Sequence, residues 1–207
     1  MLKHLMSILV ALTGTTAMAI EEPPFTVETK NKDYEIRLYE KIIVAETSIQ
    51  TTFDDAGNQA FRVLADFIFG NNKSQTKIAM TAPVTQQPKS EKIAMTAPVT
   101  MAKDGEGSYV VQFVMPESYT LETLPVPNDP RVTIRELPRR RVAVHRYSGS
   151  WSETNYLEEL KAFRSNLERD KIQTIGEPIL SRFNSPFALW FLRRNEIWLE
   201  LAPSQNG

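Results

Sequence analysis

In the first half of the chain, Ala60, Phe61, Leu64, Phe67 and Ile68 recur at the three-and-four spacing of one helix face, and Gly70-Asn71-Asn72 closes the run. The pattern predicts a helix over about residues 54–69. A second stripe, Leu157, Leu160, Phe163 and Leu167, predicts another over about residues 152–169. Glu158, Glu159, Lys161, Arg164, Glu168 and Arg169 fall on its wet side as a solvated, charge-paired face. The other apolar runs are short and rich in β-formers: residues 34–38, 44–45, 109–115, 132–136, 142–147, 178–183 and 196–201.

Two repeats organise these segments. The nonapeptide that begins at Lys77 and ends at Thr85 returns unchanged from Lys92 to Thr100, with a polar, proline-containing spacer between the copies. Each copy reads as a short strand and the spacer as a turn. A shift of 98 residues lays residues 34–38 over 132–136, with Ile36/Ile134 and Arg37/Arg135 identical, and Val44-Ala45 over Val142-Ala143. The same shift lays Thr52-Phe53-Asp54-Asp55 over Ser150-Trp151-Ser152-Glu153. Both read as capping boxes, in which a hydroxyl and a carboxylate satisfy free N–H groups at a helix start. Each half, about residues 25–115 and 131–202, is therefore strand, strand, helix, strand, strand. Residues 116–130, with four prolines, are the loop between them. Short strands of one half can close on those of the other, which favours a barrel or paired sheet backed by two helices.

The N-terminus reads as an export leader over residues 1–19: Lys3, an apolar run over residues 5–12, then Ala17-Met18-Ala19 as the cleavage site. The expectation is a mature chain starting at Ile20, exported to the periplasm, with no stable membrane insertion, because no apolar run approaches the ~20 residues that span a bilayer. The chain has no cysteine, which removes disulfides, thiolate metal sites and cysteine nucleophiles. With 24 basic against 25 acidic residues it lacks the basic surface that nucleic acid requires, and Arg139-Arg140-Arg141 reads as a solvated strand start.

Several stretches then coincide with one family. The nonapeptides, Phe113-Val114-Met115-Pro116, residues 119–125, the turn at residues 147–152 and the run Phe191-Leu192-Arg193-Arg194-Asn195-Glu196-Ile197-Trp198 together resemble the SOUL heme-binding protein family across residues 25–202. The resemblance implies an α+β fold: a distorted eight-stranded antiparallel β-barrel with two helices, built from a pseudo-twofold ββαββ duplication as one domain over residues 20–207. It also implies binding of heme or a related porphyrin, and a distant likeness to bacterial effector-binding domains that hold small hydrophobic molecules.

In the family the tetrapyrrole docks on one face of the first helix and against the loop before the Arg193 motif. Those positions here are Asn58, Phe61, Ala65 and Leu189. The helix arginine and loop lysine that meet propionates in the family are replaced by Asn58 and Leu189. Arg62, one turn beyond Asn58, can reach a propionate instead. The candidate axial ligands are His145, Met80 and Met95, each with a competing structural role as a bonded strand histidine or as core filler. No nucleophile elbow, zinc-protease helix, P-loop or dinucleotide fingerprint occurs, so the expectation is a non-catalytic carrier or scavenger without a metal site. The alternatives are binding of a different hydrophobic small molecule, or a hydrolase or dechelatase. The apolar run at residues 189–192 reads equally as an exposed pocket rim or a buried strand, and a patch near Trp190 could be a rim or an interface, so no oligomeric state follows from the pattern.

Overall fold

The computed structural model describes residues 20–75, 90–105, 107–185 and 187–202. Residues 1–19, expected to be an export leader, and the first nonapeptide, with Met80, lie outside the described residues. Strands β1 (Phe25–Lys30), β2 (Glu35–Tyr39) and β3 (Ile42–Gln50) lead into helix α1 (Phe53–Ile68). Thr52 caps that helix: its hydroxyl accepts the Asp55 N–H at 3.4 Å. The chain continues through β4 (Asn72–Lys73), β5 (Val99–Asp104), β6 (Ser108–Val114), β7 (Val126–Pro127), β8 (Thr133–Leu137) and β9 (Arg140–Tyr147). Helix α2 (Glu153–Arg169), β10 (Thr174–Arg182), a 3-10 turn (Trp190–Leu192) and β11 (Asn195–Leu201) complete it.

Nine strands form one antiparallel sheet in the order β1-β2-β9-β11-β10-β5-β6-β3-β8, and β4 pairs with β7 as a two-stranded ribbon. The architecture is α+β, a large curled sheet with two helices. The expected closed eight-stranded barrel is not what the pairing gives: a ninth strand, β1, extends one edge, and β1 and β8 end the sheet without bonding each other among the described residues. From β2 to β8 the order reads through corresponding strands from either end, and β2 displaced by 98 residues coincides with β8.

Sequence alternation divides the core between the two faces of the sheet. On β11, Ile197 and Leu199 join the main cluster under the helices, with Phe67, Leu64 and Phe163, while Trp198 points the other way to Tyr39, Val142 and Val144. That opposite face holds a buried ionic network. Glu196, fully buried, accepts from Arg37 Nη1 at 3.0 Å, Arg194 Nη2 at 2.9 Å and Trp198 Nε1 at 2.8 Å.

Four expectations require correction. Lys92 to Pro98 is not a strand: only Val99-Thr100 of the second nonapeptide enters β5. Pro98 has no N–H for a ladder, the preceding Thr96 hydroxyl donates to the Val114 carbonyl, and the Ile93 N–H donates to Ile68. The second cap is Ser152 rather than Ser150, with its hydroxyl accepting the Asn155 N–H at 3.4 Å. Leu157 is exposed. Tyr156 takes its place in the stripe because it stacks on Phe53 of α1, centroids 5.0 Å apart, where the two helix starts meet. The 116–130 connection, expected to be loop throughout, contains β7.

Candidate functional site at the first helix

One turn from the buried stripe of α1, Gly57, Asn58, Phe61 and Arg62 share a helix face and border a cavity of about 330 Å³. Val99, the first residue of β5, Trp151 from the turn before α2, Arg182 at the end of β10, and Asn184 complete its lining. Phe61 is half-buried, one side of its ring against Phe113 at 5.4 Å, so the floor is apolar.

Arg182 gives this cavity its character. The antiparallel register sets it between Val99 on β5 and Asn195 on β11. Its guanidinium lies 4.9 Å from the centre of the Trp151 ring, and Arg193 lies 4.1 Å from the same ring. Trp151 is itself fixed, since its Nε1–H donates to Asn195 Oδ1 at 2.8 Å. Arg182 Nε and Nη2 are buried with no hydrogen-bond partner. Burial pulls this guanidinium down to about 10, which leaves it charged at neutral pH. Gly57 makes room for it: a Cβ at that position would stand 2.6 Å from Arg182 Nη1.

Of the residues singled out from sequence, the fold brings Asn58, Phe61 and Arg62 together on this wall. Ala65 is buried one turn further along and does not border the cavity. Leu189 is also not on the wall. It stands exposed on the 187–192 loop beside Phe187, Trp190, Phe191 and Leu192, all exposed as well. His145 lies elsewhere and is already engaged: Nδ1 is 2.9 Å from the Asp33 carbonyl, Nε2 is 2.9 Å from Glu159 Oε2, and the ring stacks on Phe163. Glu159, read from sequence as part of a solvated face, is thus a bonded partner. Met95 is exposed and away from the lining.

Gly57, Val99, Trp151, Arg182 and Asn184 were not identified by periodicity. A signal existed for two of them: Arg182 is a charge at the end of the apolar run 178–183, and Trp151 sits in the 147–152 turn. A larger cavity, about 600 Å³, is bordered by Glu21, Glu40, Glu117, Glu122 and Glu136, an acidic rim with the opposite charge preference.

The model of the SOUL heme-binding protein family matches residues 20–200. Heme-binding protein 2 of Homo sapiens is 28% identical over 197 residues, covering 91% of this chain and 90% of that protein. Heme-binding protein 2 of Mus musculus is 26% identical over 195 residues, covering 90% and 88%. Among solved structures, a hydrolase from Listeria innocua aligns with a TM-score of 0.55 at 11% identity, covering 84% of this chain and 94% of that one. At that identity the likeness is one of fold alone.

Proposed function

This chain belongs to the SOUL heme-binding protein family, and we propose that it binds heme or a related tetrapyrrole, without catalysis, in the cavity beside α1, as an exported carrier or scavenger. The single domain of residues 20–207 is read as an internal duplication, with α1 of the first half carrying the ligand. The observation that carries the reading is the lining itself. Phe61, Val99 and Trp151 offer apolar surface to a flat ring, while Arg62 and Arg182 offer charge to its acidic substituents.

Heme is the ligand that the family implies, and the described lining offers apolar surface for a ring and two cations for carboxylates. It supplies no imidazole, thioether, thiolate or phenol for the iron. Were heme held here, hydrophobic burial on Phe61, Val99 and Trp151 and charge pairing with Arg62 and Arg182 would be the main binding terms. The same feature favours a second reading, a metal-free or non-porphyrin aromatic ligand, which needs no axial donor. A hydrolase would require a nucleophile and a base; the described lining contains no Ser, Cys, His, Asp or Glu.

Titration of hemin into the apo-protein tests the proposal. A Soret shift at one equivalent, lost in Phe61→Asp, is expected. A titration with no Soret shift and unchanged fluorescence from the three tryptophans would refute heme binding and leave the second reading.

A further inference from the structure

A guanidinium buried with two N–H donors unpaired is costly, because desolvation of a charge is normally offset by a carboxylate or by full hydrogen bonding. Arg37, a buried arginine, obeys that rule: it meets Glu35, Glu196 and Tyr39. Arg182 meets no acceptor at Nε or Nη2, has no ion pair among the described residues, and is retained by the Trp151 face and by the space that Gly57 leaves. Asp54, an acid whose charge acts on it, is itself occupied, accepting the Glu153 N–H at 3.2 Å.

The unpaired atoms are also the informative ones. Nε and Nη2 form the side edge of a guanidinium, the edge that meets both oxygens of one carboxylate in parallel. The group lies 4.9 Å from the centre of the Trp151 ring, and Asn195 holds Trp151, which limits the side-chain freedom to be lost when an anion arrives.

We propose that Arg182 is the anion-recognition residue of the α1 cavity, and that the cavity is selective for flat aromatic ligands bearing a carboxylate or sulfonate, the acid group on Arg182 and the ring on Phe61 and Val99. This assignment rests on the α1 cavity being the binding site, and extends that reading from ligand family to ligand charge. In place of the uncharged Asn58 and Leu189, the two positions that the family resemblance pointed to, it puts one partly buried cation that periodicity did not reveal.

The test uses two matched pairs of probes on the mature chain, read by tryptophan quenching and by probe fluorescence. Protoporphyrin IX is compared with its dimethyl ester, and anilinonaphthalenesulfonate with neutral N-phenylnaphthylamine. Each acid is expected to bind about 10- to 100-fold more tightly than its neutral partner, the range for a desolvated charge-assisted pair. Arg182→Met, which keeps length and apolar packing, reduces that ratio to within about twofold. Arg182→Lys keeps charge without the fork and gives an intermediate ratio.

Thermal melting supplies a readout that a merely structural arginine would move the other way. Arg182→Met melts at or above the parent temperature, since it removes an unpaired buried charge. An acid preference that survives unchanged in both variants, or a melting temperature that falls in Arg182→Met with the preference intact, overturns the assignment. The two layers separate cleanly. If neither porphyrin binds but the naphthalene pair shows an Arg182-dependent preference, the anion site stands and the tetrapyrrole reading falls. If both porphyrins bind equally and Arg182→Met changes nothing, the reverse holds, and if no probe binds both fall.

Discussion

Glu196 is the place where a single atom change should be felt most. Its side chain is fully buried, and its two oxygens accept from Arg37, Arg194 and Trp198. Glu196→Gln keeps the volume but turns one acceptor into an N–H pair that faces a guanidinium. Breaking a buried ion pair from one side costs about 3–5 kcal/mol. The lower end applies here, because Arg37 retains Glu35 at 2.7 Å and Arg194 retains Glu22 at 2.8 Å. A loss of about 3 kcal/mol in a chain of this length lowers the melting temperature by roughly 6–12 °C. Thermal unfolding followed by far-UV circular dichroism at pH 7, with urea titration alongside, measures it. A second variant, Arg37→Leu with Glu196→Leu, should cost less than the two single changes summed, because the charges leave together. A fall below about 2 °C in Glu196→Gln, or strict additivity in the double variant, would show that the network is not the coupled, desolvated unit described.

Two further outcomes can be measured without ligand. Burial pushes Tyr39, Tyr119 and Tyr156 up to about 12, and raises Tyr34, Tyr109 and Tyr147 as well, so all six tyrosines stand above their ordinary value of 10. A raised folded value means the protonated form is favoured by folding: the contribution is complete below pH 10 and is lost as pH rises from 10 towards 12. Absorbance at the phenolate band should therefore stay low past pH 10 and rise together with loss of the far-UV signal; a gradual rise centred at 10 with the fold intact would contradict the burial assigned to these rings. Asn72→Ala should cost about 1–3 kcal/mol, since this buried amide donates to the Phe67 and Glu91 carbonyls at 2.7 and 2.8 Å and accepts the Glu91 N–H at 3.0 Å; a variant as stable as the parent in urea would contradict it.

The helices were legible because each carries two independent signals, an apolar stripe and a capping hydroxyl. The failures came where one residue had to choose between equal local options. Leucine outranks tyrosine in hydropathy, yet Tyr156 rather than Leu157 is buried, because only the ring at 156 meets Phe53 across the helix pair. The nonapeptide looks like a strand by composition, yet before Val99 its polar groups go to Val114 and Ile68 instead of a ladder. On the cavity wall, Asn58 and Phe61 came from the family resemblance and Arg62 from its i+4 spacing to Asn58, since their neighbourhood is set by one element. Arg182 could not follow from it. Its significance lies in the absence of an acceptor, and that absence depends on three strands and a turn meeting correctly.

The run from Arg193 to Glu196 shows why the site and the core are not separable in this fold. Consecutive residues on β11 point to opposite faces, so Glu196 anchors the sheet on the Trp198 side while Asn195 faces the helices and holds Trp151. Arg194 closes the ionic network as Arg193 covers the Trp151 ring. A short run of chain thus fixes β11 from one side and the platform under Arg182 from the other. The ionic network resists any slip of β11 against β9 and β10, because a one-residue slip would exchange the faces of Asn195 and Glu196 and leave a buried charge in the apolar core. Register is therefore the physical link between stability and cavity geometry: the cation in the α1 cavity is held in place by a carboxylate it never touches.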